Sequence, residues 1–366
     1  MLQIHSPMNY LRAMADSPKR ILVAPLDWGL GHATRDVPII HYLKEVGHEV
    51  ILVADGRPFD FLSRRFPELK IVRCPGYDIT YPKSDQFMVH MAKSGPRIAK
   101  ALREERKAAE RIVEETGAEV IISDNRLNFR SDKTKNIFIT HQLRVKAGLF
   151  TLAASALHRK FYAKFDEVWI PDHAGENNVS GDLAFLKRPK KNYRYIGPLT
   201  RFSLVKTKMD SVGKQLLFML SGPEPQRTIF EELVIAELKK NPVPALILRG
   251  QPVQPHHSEP IPGVRMLNHL DDEQLAGEIG RSYAVVSRGG YSTLCDLTAA
   301  KKKLICVPTP GQTDQEYLAD YHMKRGQMIS MKQAEFSLEK SLTLSEDAQP
   351  FFFRYTSRLP EAISEL

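Results

Sequence analysis

The sequence predicts an α/β protein made of two Rossmann-like, doubly wound domains that face each other across a cleft. Three observations carry this. At 366 residues the chain is too long for one ordinary domain of roughly 150 residues. Short, nearly all-apolar β-branched runs alternate with amphipathic stretches, the pattern of parallel βαβ units whose sheet is covered on both faces. The pattern pauses at a Gly-, Pro-, Lys- and Ser-bearing segment, IGPLTRFSLVKTKMDSVGK, and then begins again.

In the first half, strands are expected at 21–24 (ILVA), 50–54 (VILVA), 71–72, 120–122, 137–139, 167–170 (EVWI) and 193–196. In the second half they are expected at 215–220 (QLLFML), 245–248, 264–267, 284–287 and 304–307, separated by helices near 226–240, 292–300 and 315–324. This divides the chain into an N-terminal domain (19–198), a linker (199–213), a C-terminal domain (214–345) and a tail (346–366). The tail holds Phe351, Phe352 and Phe353 and is expected to pack back on the N-terminal domain. Open parallel sheets bind ligands at the carboxyl ends of their strands, so the expected site lies between the domains.

A composition of 42% hydrophobic and 26% charged residues excludes a disordered or collagen-like chain. No apolar run reaches the ~18 residues of a spanning helix. The first 18 residues are polar and Met-rich, without an apolar signal core. Cys74, Cys295 and Cys306 make an odd number with no CxxC pair, against a disulfide framework or a thiolate zinc site. A soluble cytoplasmic protein is the expectation.

The net charge is +9, from 52 Lys and Arg against 43 Asp and Glu. Such a surface attracts nucleic acid, anionic membrane or phosphorylated substrates alike. Lys187, Arg188, Lys190, Lys191 and Arg194 form one cluster, Lys301, Lys302 and Lys303 another, and RIAKALREERKAAER (97–111) is dense in both signs. Solvated faces are the first reading of these runs, and an anionic surface or acceptor is the alternative. His256 and His257 have no partner at metal-ligand spacing and read as loop residues.

Two motifs carry chemistry. The first strand ends in PLDWGLGHATR, where Gly29 and Gly31 permit close backbone approach. The next helix offers unpaired N–H groups to an anion or a reacting oxygen. Thr34 stands where a dinucleotide fingerprint needs its third glycine, and there is no GxxxxGK[ST], so NAD binding and P-loop hydrolysis are poor readings. His32 at this turn is either a cap or a base. A neutral imidazole can take a proton from a hydroxyl near pH 7, worth ~10²–10⁴ in rate.

The second motif is VVSRGGYSTLCDLTAAKKKLICVPTPGQTDQEYLAD. Arg288, Gly289 and Gly290 turn into a helix whose first turn carries Ser292 and Thr293, suited to hold a pyrophosphate. Asp296 follows, either to accept from ribose hydroxyls or as a partner of the helix dipole. Gln312, Asp314 and Gln315 lie on the next loop, suited to grasp sugar hydroxyls.

The order strand–RGGYSTLCD–strand–VPTPGQTDQEYLAD resembles the C-terminal donor domain of family 28 glycosyltransferases, which include peptidoglycan lipid-linked N-acetylglucosaminyltransferases and galactolipid synthases. The GLGH turn is similar to that family's glycine-rich loop before its His, and the resemblance runs from about Arg20 to Gly326. It implies the glycosyltransferase-B fold, with acceptor on the N-terminal half and nucleotide sugar on the C-terminal half. It further implies His32 as base and Asp296 at a ribose-binding Glu, one methylene shorter. Gln315 stands at a donor-sugar Gln, followed by Glu316 where relatives carry a second Gln.

Ser221 and Gly222 match a donor-domain turn, Arg201 an Arg after a Gly-x-Pro element, and Leu270 the residue whose backbone holds the base. Gly29, His141 and Gln142 face the acceptor, although a locally bonded loop His141 fits equally well. Strand-end placement makes Asp124 the group that orients His32. The implied activity is an inverting transfer from a UDP-sugar to a hydroxyl of a glycan or lipid-linked acceptor. No cofactor or metal is expected, because no Asp-x-Asp pair stands at the site; nucleic acid is not an expected partner. The implied setting is the cytoplasm or the inner membrane face, in cell-envelope synthesis. Alternatives are a UDP-sugar 2-epimerase of the same fold and a non-catalytic donor-binding subunit.

Overall fold

The first-half apolar runs form a parallel sheet of β1 (Arg20–Pro25), β2 (Glu49–Ala54), β3 (Lys70–Arg73), β4 (Val120–Asp124), β5 (Lys135–Ile139), β6 (Glu167–Ile170) and β7 (Tyr193–Tyr195). The structure is a computed structural model. It describes residues 17–27, 29–76, 95–146, 151–209, 211, 213–251, 257–353 and 356–366. His256, one of the two vicinal histidines, lies outside the described residues. The strand order is β3-β2-β1-β4-β5-β6-β7. Alternation along β1 explains why its run is apolar throughout: Ile21 and Val23 enter the core on one face, Leu22 and Ala24 the core on the other. Full burial contributes roughly 1.5–3 kcal/mol for each of the larger side chains.

The helices of this half are α1 (Gly31–Glu45), α2 (Gly56–Arg65), α3 (Gly95–Thr116) and α4 (Thr151–Tyr162). The second half repeats the scheme with β8 (Gln215–Met219), β9 (Ala245–Leu248), β10 (His257–Ile261), β11 (Val264–Leu267), β12 (Ser282–Ser287), β13 (Lys303–Cys306) and β14 (Ile329–Ser330). They lie in the order β10-β11-β9-β8-β12-β13-β14, and only β10 runs antiparallel to its neighbour. Its helices are α5 (Gln226–Lys240), α6 (Asp272–Gly280), α7 (Tyr291–Leu297), α8 (Thr313–Lys324) and α9 (Leu338–Ser345); α10 (Leu359–Ser364) follows. In each half the strand order reverses beside the first strand, at β1/β4 and at β8/β12. That is where doubly wound sheets open a crevice.

Four expectations are corrected. His257 lies in β10, which the sequence hides because HSEPI is polar and carries a proline, as an edge strand tolerates. The short β14 has two residues and no periodicity to read. The run Lys301–Lys303 is not one solvated face. Lys302 is buried and its Nζ donates to the carbonyls of Gly280 (3.1 Å), Ser282 (2.7 Å) and Ser211. The tail serves both halves: Phe351 and Phe353 join the second core, and Leu359, Ala362 and Ile363 of α10 join the first. Between the halves, Leu199 packs in the first core and Phe202 in the second.

Candidate active site

Loops from the carboxyl ends of β1, β4, β5, β8, β9, β11, β12 and β13 converge on one cleft of about 380 Å³. Gly29, Gly31, His32, His141, Gln142, Arg201, Ser221, Gly222, Leu270, Gly290, Ser292, Thr293, Asp296, Gln312, Asp314 and Gln315 all line it. The two motifs touch: Ser292 Oγ donates to the Gly31 carbonyl at 2.8 Å. A Cβ at position 31 would stand 3.3 Å from that hydroxyl, and Gly29 holds φ +98°, so both glycines are needed for the approach. No side chain caps the first turn of α1 or of α7, which leaves their leading N–H groups to the cleft.

His32 is held from beneath. Its Nδ1 lies 3.1 Å from Asp124 Oδ1 and 2.8 Å from Arg35 Nη2. Arg35 Nε donates to Asp124 Oδ2 at 2.6 Å while Nη2 reaches Oδ1, closing a two-pronged pair that is almost wholly enclosed. Burial by itself would raise the Asp124 carboxyl, but Arg35 and His32 hold it well below the usual carboxylate range. Nδ1 of His32 thus stands between a donor, Arg35, and an acceptor, Asp124; the tautomer that donates from Nδ1 to Asp124 is the one that leaves the Nε2 lone pair free to accept.

Arg35 also donates through Nη1 to His141 Nδ1 at 3.0 Å. A guanidinium can only donate, so Nδ1 of His141 accepts and its ring proton sits on Nε2. Burial, then Arg35 and His32, push its proton affinity well down, keeping the ring neutral. Tyr291 stacks on it with centroids 4.2 Å apart and planes 6° from parallel, and the phenol donates to the Pro171 carbonyl. His141 is therefore bonded locally and lines the cleft as well.

On the opposite wall, Gln315 Oε1 accepts from Thr309 N at 2.9 Å and its Nε2 donates to Gln312 Oε1, so the two glutamines form one unit. Burial raises the Asp314 carboxyl, and His32 acts on it in the opposite sense, which places Asp314 within electrostatic reach of the imidazole. Glu316 turns away and accepts from Gly311 N at 3.1 Å. Gly222, at φ +102°, forms the turn after β8 with Ser221. Thr313 Oγ1 donates across the cleft to the Lys146 carbonyl at 2.7 Å.

Two expected residues, Arg288 and Gly289, sit differently. Arg288 is fully buried and points away from the cleft. It donates to the carbonyls of Gln226 (2.6 Å) and Val307 (3.3 Å) and to Gln333 Oε1 (2.6 Å), and lies over the Phe230 ring. Burial pulls its proton affinity down to about 9. Gly289 does not line the cleft; at φ +68° it lets the chain pass Cys306, whose Sγ would lie 2.2 Å from an added Cβ. Asp124 is enclosed and reaches the cleft only through His32. Asp296 does line the cleft, but its oxygens already accept from Thr200 Oγ1 (2.7 Å) and Arg201 Nε (3.1 Å), tying α7 to the segment joining the halves.

Sequence reasoning missed Arg35, Arg57, Lys146, His269 and Tyr291, all in the cleft wall. Arg35 was readable, since it follows His32 by three residues and shares its helix face. Arg57 reaches Glu224 from across the cleft at 3.5 Å, a long-range meeting with no local signal.

Residues 265–353 match the glycosyltransferase family 28 C-terminal domain. A Methanosarcina acetivorans protein described as an uncharacterized glycosyltransferase is 23% identical over 323 residues, covering 81% of each chain. Among solved structures, the Acinetobacter baumannii MurG matches with TM-score 0.54 at 14% identity, over 95% of this chain and 99% of its own. The spinosyn rhamnosyltransferase SpnG complexed with thymidine diphosphate matches with TM-score 0.57 at 14% identity, over 94% of this chain and 95% of its own. Taken with the paired sheets and the cleft between them, these likenesses make the chain a glycosyltransferase with the glycosyltransferase-B fold, similar to family 28 in its C-terminal half.

Proposed function

We propose that this glycosyltransferase inverts the anomeric centre of a UDP-sugar, passing the sugar to a hydroxyl of a glycan or lipid-linked acceptor. The observation that carries the reading is the meeting of His32 and its Asp124–Arg35 support with the Ser292–Thr293 turn on the facing half. Nε2 of His32 takes the acceptor hydroxyl proton as the oxygen attacks the anomeric carbon. The bond from that carbon to the diphosphate oxygen breaks on the opposite face, and the nucleoside diphosphate leaves.

Hydroxyls of Ser221 and Thr293, with the uncapped N–H groups beside them and at Ser292, receive the leaving charge without rearranging. Leu270 offers its backbone to the base, Asp296 and Arg201 bound the ribose end, and Gln312, Asp314 and Gln315 meet the sugar. Gly29, His141 and Gln142 face the acceptor. Thymidine diphosphate in the SpnG complex favours a nucleoside-diphosphate donor in general, and a panel of donor nucleotides distinguishes uridine from thymidine.

The scheme uses no divalent ion, because hydroxyls and uncapped N–H groups meet the leaving diphosphate. Full turnover in EDTA is the expected result, and rescue by added metal after its loss refutes this part. Among the described residues no helix is long and apolar enough to cross a membrane. Exposed Leu152 and Leu157 beside Arg159 and Lys160 on α4 support peripheral contact with an anionic membrane. Salt-insensitive failure to co-sediment with anionic vesicles refutes that contact.

The decisive experiment is His32→Ala. Transfer, read as UDP release with acceptor present, should fall by ~10²–10⁴ while calorimetric UDP binding persists. Unchanged transfer refutes the assignment. Isomerisation of a UDP-sugar without acceptor would establish the epimerase alternative, although the enclosure of Asp124 removes the carboxylate that reading relied on.

A further inference from the structure

The reading of His32 as base leaves one group beneath it unused. Asp36, next to Arg35 on α1, is fully buried, and neither of its carboxyl oxygens has a hydrogen-bond donor. Its carboxyl lies against that of Asp124. Two ionised carboxylates are both acceptors only, so they repel and cannot bond; a hydrogen bond between them exists only when one holds a proton. Asp124 is the wrong place for that proton, because both its oxygens receive the Arg35 guanidinium and one faces His32 Nδ1. From this geometry we infer that Asp36 is a neutral carboxylic acid whose O–H donates to Asp124, a positioning residue that governs how strongly the Asp124–Arg35 pair holds a proton on His32.

The charges in the enclosure support this. Arg35 contributes +1, Asp124 −1, and His141 is neutral because its Nδ1 accepts from Arg35. With Asp36 neutral, the enclosed set sums to zero and His32 stays free to act as a base. With Asp36 ionised, the set would carry −1 beside the imidazole and favour its protonated form, which cannot accept. The charged groups acting on Asp36 are Asp124 from β4 and Arg35 from its own helix. Burial first, then the Asp124 charge, raise the Asp36 carboxyl well above the ordinary carboxylate range, while Arg35 opposes them. A buried residue behind Asp124, out of reach of the substrate, thus sets the protonation state on which the proposed base depends.

The inference rests on the His32 reading only for its kinetic consequence, and two measurements separate the parts. An infrared difference spectrum of wild type minus Asp36→Asn at neutral pH should show a protonated-carboxyl stretching band. Its absence overturns the proposal whatever the reaction is. In kinetics, Asp36→Asn replaces the O–H by an amide N–H and should keep the acid limb of kcat/KM in place. Asp36→Ala removes the donor, concentrates charge on Asp124, and should move that limb up by about one pH unit. An equal shift in both variants, or none in Asp36→Ala, overturns the positioning role. If Asp36→Ala does not fold, the infrared pair and the Asp36→Asn profile still decide. An acid limb that survives His32→Gln instead refutes the assignment of His32 and leaves the infrared result standing.

Discussion

Replacing Asp124 by Asn changes one atom in the support beneath His32, and its consequences can be worked through. Asp124 is fully buried and Arg35 is 2% exposed, so the variant leaves a guanidinium enclosed without its counter-charge. Breaking such a pair from one side costs about 3–5 kcal/mol. For a unit the size of the N-terminal half, at about 2–4 °C per kcal/mol, the melting temperature should fall by roughly 6–20 °C. Because the folded-state Asp124 carboxyl is depressed, its contribution is present above the unfolded value of about 3.9 and is lost only as pH falls below it. The gap between wild type and Asp124→Asn should therefore be constant from neutral to mildly acidic pH and close only in strong acid. Asn also cannot hold the imidazolium that forms when His32 takes a proton, so kcat should drop ~10²–10⁴ with UDP affinity retained. Thermal melts across pH, calorimetry with UDP and a UDP-release assay make the test. A variant that melts with wild type and turns over at the same rate refutes the whole account of the support.

Arg288→Met should leave UDP affinity unchanged by calorimetry, since the guanidinium faces away from the cleft; a tenfold loss would restore it as a donor contact. Gly289→Ala should lower stability by about 2–5 kcal/mol in a denaturant melt, from overpacking on Cys306 plus a left-handed backbone; a silent substitution refutes that packing argument. Ser292→Ala should cost about 0.5–1.5 kcal/mol of stability and raise KM for the donor, while a change confined to acceptor KM would reassign the hydroxyl.

The sheets were legible because a strand covered on both faces has to be apolar in its interior, and β1, β2, β8 and β12 satisfy that between their end residues. The exception, β10, is an edge strand, where no burial demand shapes the sequence. The site was legible wherever backbone geometry constrains residue type. Gly29 and Gly31 mark the turn before His32, and Ser292 and Thr293 open α7, because positive φ and close approach leave few residues free to choose. Arg288 misled for the opposite reason. A guanidinium at a strand end looks like a phosphate ligand, and only the packing of α5 and the Gln333 segment shows that both its terminal nitrogens are already used.

What could not be read is the way the two halves complete each other. Tyr291 from the C-terminal half stacks on His141 and bonds Pro171, Ser292 bonds Gly31, and Thr313 bonds the Lys146 carbonyl. Each partner lies more than a hundred residues away, so no local pattern announces it. The consequence is mechanistic. His141 takes its orientation from Arg35 on one side and from Tyr291 on the other, so the N-terminal wall of the cleft is shaped partly by the C-terminal half. Substitutions on either half of this contact should therefore disturb both substrates at once, in contrast to His32, whose supports come entirely from the N-terminal half.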